Sequence, residues 1–231
     1  MTLLNIHRWL DPQNCLLCAA RVPVAADFCP GCERSLPWSR WACPRCAAQD
    51  SVVDTLEAVC GVCQKNPPAF AYARAPFHYA PPVDRLIRNL KYHGRLELSR
   101  ILGKYLAAYL QNLNEPPPDV IVPVPLHTSR LRSRGYNQSL EIARTVSKHL
   151  ALPLNWSDAE RIRDTTPQTD LPRDKRRKNV RGAFKSSEAF SGQRIAILDD
   201  VMTSGQTVNA LAESLLRSDA AEVRVWIVAR A

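Results

Sequence analysis

The sequence has 231 residues, 45% of them hydrophobic and 23% charged, the balance of a globular protein. No apolar run approaches the ~18 residues of a membrane-spanning helix, so membrane insertion is excluded as a reading of the sequence. A formal net charge of +9 favours polyanionic partners, nucleic acid or phosphorylated metabolites, and says nothing about fold.

The segment Met1-Thr-Leu-Leu-Asn-Ile-His-Arg-Trp-Leu-Asp lacks the long apolar core of a secretion signal, and a cytoplasmic location is expected. All eight cysteines follow within residues 15–63, in pairs of one spacing: Cys15/Cys18, Cys29/Cys32, Cys43/Cys46 and Cys60/Cys63. A Cys-x-x-Cys turn aims two thiolates at one point, and two turns complete a tetrahedral four-sulfur zinc site. Two zinc ions are therefore expected. With all four positions taken by sulfur, their role is structural, or to present a surface to a partner. A disulfide framework is the competing reading, disfavoured without an export signal. Pairing first with second and third with fourth is the simplest arrangement, and crossed pairing stays open. Trp38, Arg40 and Trp41 are candidates either for stacking on single-stranded DNA or for plain packing and solvation.

Asn66-Pro67-Pro68 reads as a linker, giving a small domain over 1–68 and a second over 69–231. In the second, Val83, Leu86, Ile87 and Leu90 recur at helical spacing, as do Ile101, Leu102, Tyr105, Leu106 and Leu110 after a break near Gly94. Prolines 116–118 stop that helix, and Asp119 to Val122 reads as a buried strand. A helix bearing Ile142, Val146 and Leu150 follows. A strand over Ile195 to Leu198, a helix over Val208 to Leu215 and a strand over Val223 to Val228 complete the series. The alternation predicts an α/β fold with a mainly parallel sheet covered on both faces, whose ligands bind beyond the carboxyl ends of the strands.

The chemistry gathers at those ends. Asp199 and Asp200 follow Leu198 directly, where the chain is expected to leave the sheet, and suit the 2′ and 3′ hydroxyls of a ribose. Thr203, Ser204, Gly205, Gln206 and Thr207 then supply hydroxyls, a glycine for close approach and backbone N–H groups at a helix start, a phosphate cradle. The bland alternative is an ordinary capped turn. Arg130, Arg132 and Arg134, after the strand at 119–122, are forks suited to phosphate oxygens. Residues 161–181 are basic, polar and too long for a simple connection. They read as a lid over ligand, a basic connection without fixed structure, or a clamp on nucleic-acid phosphates. No catalytic base stands out, and His93 and His127 receive no role.

An apolar strand, Asp-Asp, two residues and Thr-Ser-Gly-x-Thr resembles the signature of type I phosphoribosyltransferases. Val122-Pro-Val-Pro-Leu126, Arg130 to Gln138, Thr166-Pro167-Gln168 and Arg176 to Phe184 are similar to the ComF/GntX proteins, whose double zinc ribbon also matches the cysteine module. The resemblance implies a type I phosphoribosyltransferase-like sheet preceded by a zinc-ribbon domain. It implies binding of phosphoribosyl pyrophosphate (PRPP) or a related ribose phosphate with Mg²⁺, in DNA uptake or DNA utilisation, with single-stranded DNA or DNA-processing proteins as partners. It places Arg130, Arg132 and Arg134 in the loop that meets pyrophosphate, and makes Gln168, Arg176 and Asn179 polar contacts from the covering loop. An active Mg²⁺-dependent transferase using a base or amine is the alternative, because a binding protein and an enzyme share this signature.

Overall fold

The structure, a computed structural model, describes residues 13–23, 26–40, 42–49, 58–164, 180 and 182–231. Each ribbon is a tight turn facing a short helix. In the first, Cys15 to Cys18 lie between β1 (Gln13–Asn14) and its antiparallel partner β2 (Arg21–Val22), and α1 (Pro30–Arg34) carries Cys32 and is capped by Cys29. The second repeats the plan, with a turn at Cys43 to Cys46 and α2 (Gly61–Lys65) capped by Cys60. Both turns close through a left-handed alanine, Ala19 at φ 61° and Ala47 at φ 54°. The amide of each reaches back 2.9 Å to the carbonyl of the turn's first cysteine. Composition gave no warning of this, since glycine is the usual choice there.

The chain then builds β3 (Ala73–Arg74), β4 (Phe77–His78), α3 (Val83–Tyr92), α4 (Glu97–Asn112), β5 (Val120–Pro123), α5 (Thr128–Arg134) and α6 (Gln138–Leu150). β6 (Ala159–Arg161) pairs antiparallel with β7 (Phe184–Ser186), and β8 (Arg194–Met202), α7 (Gln206–Arg217) and β9 (Glu222–Arg230) follow. The main sheet runs β3-β9-β8-β5, with β4 also on β9, and every pairing in it is parallel. Strand alternation sends Ile195, Ile197, Val225 and Ile227 toward Val208, Leu211 and Leu215 of α7. Ala196, Leu198, Trp226 and Val228 face the opposite cluster, formed by Ile87, Leu90, Ile101, Leu106, Ile142 and Val146. Both faces are thus covered by helices, as the sequence pattern predicts.

Two local expectations are overturned. The central strand does not end at Leu198: β8 stays in register with β9 from Arg194 opposite Glu222 to Met202 opposite Arg230, so Asp199 and Asp200 belong to the sheet. The arginine segment expected as a loop is the helix α5, closed by Gly135 at φ 85°.

Packing crosses residue 68 freely. Cys15, Val22, Phe28 and Leu36 share a cluster with Phe77, Val83 and Leu98, and Ala47 shares the other cluster with Phe70 and Ala73. Asp27 pairs with Arg100 Nη2 at 2.8 Å and Lys104 Nζ at 3.3 Å, fixing the first ribbon to α4.

Gly103 is where α4 meets α6. A Cβ there would lie 2.7 Å from Thr145 Cβ and 3.0 Å from the Ile142 carbonyl oxygen. Alanine normally stabilises a helix interior by about 1 kcal/mol over glycine, but overpacking costs about 1–3 kcal/mol. Gly103→Ala is therefore expected to destabilise in urea unfolding, and a variant as stable as the parent would contradict that contact.

Candidate functional site

At each cysteine cluster the four sulfurs lie within 4.8 Å of one another: Cys15, Cys18, Cys29 and Cys32 in one, Cys43, Cys46, Cys60 and Cys63 in the other. The pairing is therefore first with second and third with fourth. Zn–S bonds of about 2.3 Å in a tetrahedron set sulfurs ~3.8 Å apart. Cys18 to Cys29 and Cys46 to Cys60 both measure 3.7 Å. Backbone amides support the thiolates: the Cys32 amide donates to Cys29 Sγ at 3.4 Å and the Cys60 amide to Cys43 Sγ at 3.3 Å. At Cys43, burial pushes the thiol up, yet amide donors led by Cys60 outweigh it and bring the pKa down to about 7. The residues fit structural zinc at both positions. Metal analysis of reduced, purified protein is expected to give about two zinc ions per chain, falling to about one in a Cys60→Ser/Cys63→Ser variant; protein free of zinc would contradict both sites.

The carboxylate pair sits at the carboxyl end of the central strand. Asp199 is 8% and Asp200 2% exposed. Ser139, in the first turn of α6, donates through Oγ to Asp199 Oδ1 at 2.7 Å. Lys91 of α3 places Nζ 2.8 Å from Asp200 Oδ2, forming an ion pair. Burial raises the Asp199 pKa from its ordinary 3.8 to about 7; the neighbouring Asp200 charge adds to this, and Lys91 and Ser139 oppose it. Burial pulls the Lys91 ammonium down, but the two carboxylates prevail and its pKa is raised.

After Met202 the chain turns through the exposed Thr203 to Gly205, whose φ of 74° favours glycine, and enters α7 at Gln206 and Thr207. The N-terminal amides of this helix are an anion-binding feature. Ser204 Oγ is buried and has no hydrogen-bond partner among the described residues. Asp199, Val201, Thr203, Gly205 and Thr207 border a recess of about 30 Å³, room for one water-sized group. The two acids and the phosphate-loop residues are thus contiguous.

The three arginines are not brought together. At ~100° per residue, Arg130 and Arg134 lie about 40° apart on α5 and Arg132 about 160° from both. Arg134 Nη1 donates to Gln138 Oε1 and its guanidinium lies 5.6 Å from the Tyr92 ring centre, while Arg132 is exposed. Arg161 joins the site instead. It is 8% exposed, lies over the Phe184 ring at 5.5 Å, and its pKa falls to about 10 through burial first and then the Arg130 charge, with Asp199 drawing it back up. Next to it, Ser129 Oγ donates to Asp164 Oδ2 at 2.6 Å, so the start of the basic segment lies against α5. Gln168, Arg176 and Asn179 lie outside the described residues, as does Trp41.

Trp38 does not present a free stacking face. Its indole donates to the Glu33 carbonyl at 3.1 Å and packs 4.7 Å from the Phe77 ring centre. Arg40 is exposed. Lys91 and Ser139 escaped the sequence reading as site residues because each belongs to another element, and Arg161, read there only as the start of the basic segment, is instead buried on β6; only the fold carries them to the acids.

Comparison with known proteins agrees with this architecture. Residues 6–64 match the double zinc ribbon domain, and residues 136–231 match the phosphoribosyl transferase domain. The chain is 32% identical over 226 residues to DNA utilization protein YhgH of Escherichia coli (strain K12), covering 95% of this chain and 97% of that one. It is 29% identical over 226 residues to Competence protein F of Haemophilus influenzae, covering 94% and 97%. It overlaps the structure of glutamine phosphoribosylpyrophosphate amidotransferase from B. subtilis over 56% of this chain and 25% of that one, at a TM-score of 0.37 and 22% identity.

Proposed function

The chain belongs to the ComF family, and from that premise we propose that it binds PRPP at residues 199–207 in the service of DNA uptake or DNA utilisation. The observation that carries the reading is the run from two buried acids on the central strand into a left-handed glycine at a helix N-terminus. In this reading the Asp199 and Asp200 carboxylates accept hydrogen bonds from the ribose hydroxyls. The amides after Gly205, with the hydroxyls of Thr203, Ser204 and Thr207, donate to the 5′ phosphate, and Ser204 Oγ gains the acceptor it lacks. Arg130 and Arg161, close enough for their charges to interact, would meet the pyrophosphate, and Mg²⁺ bound with it would help to neutralise its charge. Arg132 and Arg134 take no part in this pose. The protein acts in the cytoplasm, whose reducing conditions suit zinc-bound thiolates. Similarity to a DNA utilization protein and to a competence protein supports the DNA role.

The test is calorimetric titration with PRPP in the presence and absence of Mg²⁺, using the zinc-loaded full chain. Saturable binding that Mg²⁺ strengthens is expected, and no heat at any Mg²⁺ concentration overturns the reading. The place of Asp199 on the recess beside the phosphate loop favours a second reading, transfer of the ribose to a base or amine, in which Asp199, its pKa raised to about 7 by burial, would take the proton of the incoming nucleophile. Pyrophosphate release above buffer, across a panel of bases and amines, separates transfer from binding alone.

A further inference from the structure

The two ribbons are docked on different parts of the sheet domain. The first is fixed to α4 by Asp27 with Arg100 and Lys104, and by Tyr105, whose hydroxyl donates to Glu33 Oε1 at 2.9 Å. The second is fixed beside the phosphate loop. Its turn, residues 43–47, is held through carbonyls: Arg74 Nη1 donates to Pro44 O at 3.0 Å and Arg230 Nε to Cys46 O at 3.0 Å. Arg45 of that turn donates in the opposite direction, to Ala71 O at 3.0 Å.

Arg230 makes a further contact. Its backbone is opposite Met202 on the last rung of the β8 to β9 ladder, and its Nη1 donates to Met202 O at 2.9 Å. One guanidinium therefore bridges a zinc-ligand residue and the residue at which the central strand becomes the phosphate loop. Met202 is 2% exposed, and a Cβ added at Gly205 would touch its sulfur at 3.5 Å, so Met202 is the floor of that loop. Asn209, one turn into α7, adds a second tie: its Oδ1 accepts the Ala69 amide at 2.7 Å, and its own amide donates to Gly205 O at 2.9 Å. Between ribbon and loop lies a cleft of about 640 Å³, bordered on one side by Cys60, Cys63 and Lys65 and on the other by Thr203, Ser204 and Gln206.

We propose that the second zinc ribbon is the support of the phosphate loop, and that Arg230 couples metal occupancy at Cys43, Cys46, Cys60 and Cys63 to the geometry of residues 202–205, whereas the first ribbon has no such coupling. Zinc fixes the Cys43 to Cys46 turn and so the position of the Cys46 carbonyl. Without metal, four crowded sulfurs cannot stay together as thiolates, the turn opens, and Arg230 loses one of its anchors. Arg230 is thus a positioning residue that acts through Met202.

The experiment is hydrogen exchange on the full, zinc-loaded chain without ligand, read at two protected amides that report on the loop, Asn209 N, which donates to Gly205 O at 2.9 Å, and Ala231 N, which donates to Met202 O at 3.0 Å. Cys60→Ser/Cys63→Ser and Arg230→Ala are expected to speed exchange there about tenfold, as loss of one charge-assisted hydrogen bond implies. Cys15→Ser/Cys18→Ser should leave these amides unchanged. Protection at Ile195 to Leu198 reports that each variant is folded. If a variant fails that check, stripping zinc from the wild type with a chelator and restoring it gives the same readout reversibly. Loop exchange unaffected by Arg230→Ala and by loss of the second zinc overturns the proposal, and so does an equal effect from loss of the first. PRPP affinity, which rests on the functional reading above, should fall in parallel. A wild type that binds no PRPP fails that reading alone and leaves the exchange result decisive for this one.

Discussion

Replacing Lys91 with methionine is expected to lower the unfolding free energy by about 3–5 kcal/mol at pH 8, the cost of stripping a buried charge of its partner. Asp200 is almost wholly enclosed, with a side chain 2% exposed, and Lys91 is the cation at its Oδ2. Methionine fills the volume of the lysine stem but leaves a carboxylate without a counter-charge beside Asp199. Adding Asp200→Asn to Lys91→Met removes the orphaned charge and should restore most of the lost stability. Urea unfolding of the three proteins at pH 8 measures all of this. A loss below about 1 kcal/mol at pH 8, the range of an exposed pair, would show that the ion pair is not buried.

The same pair marks the limit of what the sequence discloses. The long helices and buried strands of the second domain are legible, because their apolar residues recur at the period of each element and proline or glycine marks the ends. β3, β4, β6 and β7 are not. They have two or three residues each and exist only because a neighbouring strand supplies the hydrogen bonds. β8 is misjudged in length for the opposite reason: hydrophobicity ends at Leu198, whereas pairing with β9 continues to Met202. Acidic residues weigh against a strand on propensity, and here an ammonium from α3 and a hydroxyl from α6 offset their burial. The acid pair and its glycine loop could be read because they are contiguous in sequence. Lys91, Ser139, Arg161 and Arg230 could not, since they meet the site only through tertiary packing. Cysteine spacing gave the number of metal sites, while the choice among pairings required coordinates.

Asp199→Asn should reveal what that burial costs. A carboxyl raised from 3.8 to about 7 holds its proton in the folded chain over a window in which the unfolded chain has released it. Across pH 4 to 7 the native state thus binds more protons than the unfolded state, so stability falls as pH rises through the window, by on the order of a few kcal/mol for this group. The groups that set the value come from three elements: Asp200 on the same strand, Lys91 from α3 and Ser139 from α6; Arg161 of β6 in turn feels the Asp199 charge. Asparagine cannot ionise, and its carbonyl still accepts from Ser139 Oγ. The variant is therefore expected to lose this part of the pH slope and to exceed the wild type in stability at pH 8, where the parent carries an ionised, enclosed carboxylate. PRPP affinity should move the other way, falling about 100-fold or more for loss of a charged acceptor to a ribose hydroxyl. A residue whose replacement stabilises the fold while abolishing a ligand is one retained for that ligand. Chemical unfolding from pH 4.5 to 8.5, with calorimetry at pH 8, tests both halves. An unchanged slope would show that Asp199 titrates as an ordinary carboxylate, and unchanged affinity would remove it from the binding site.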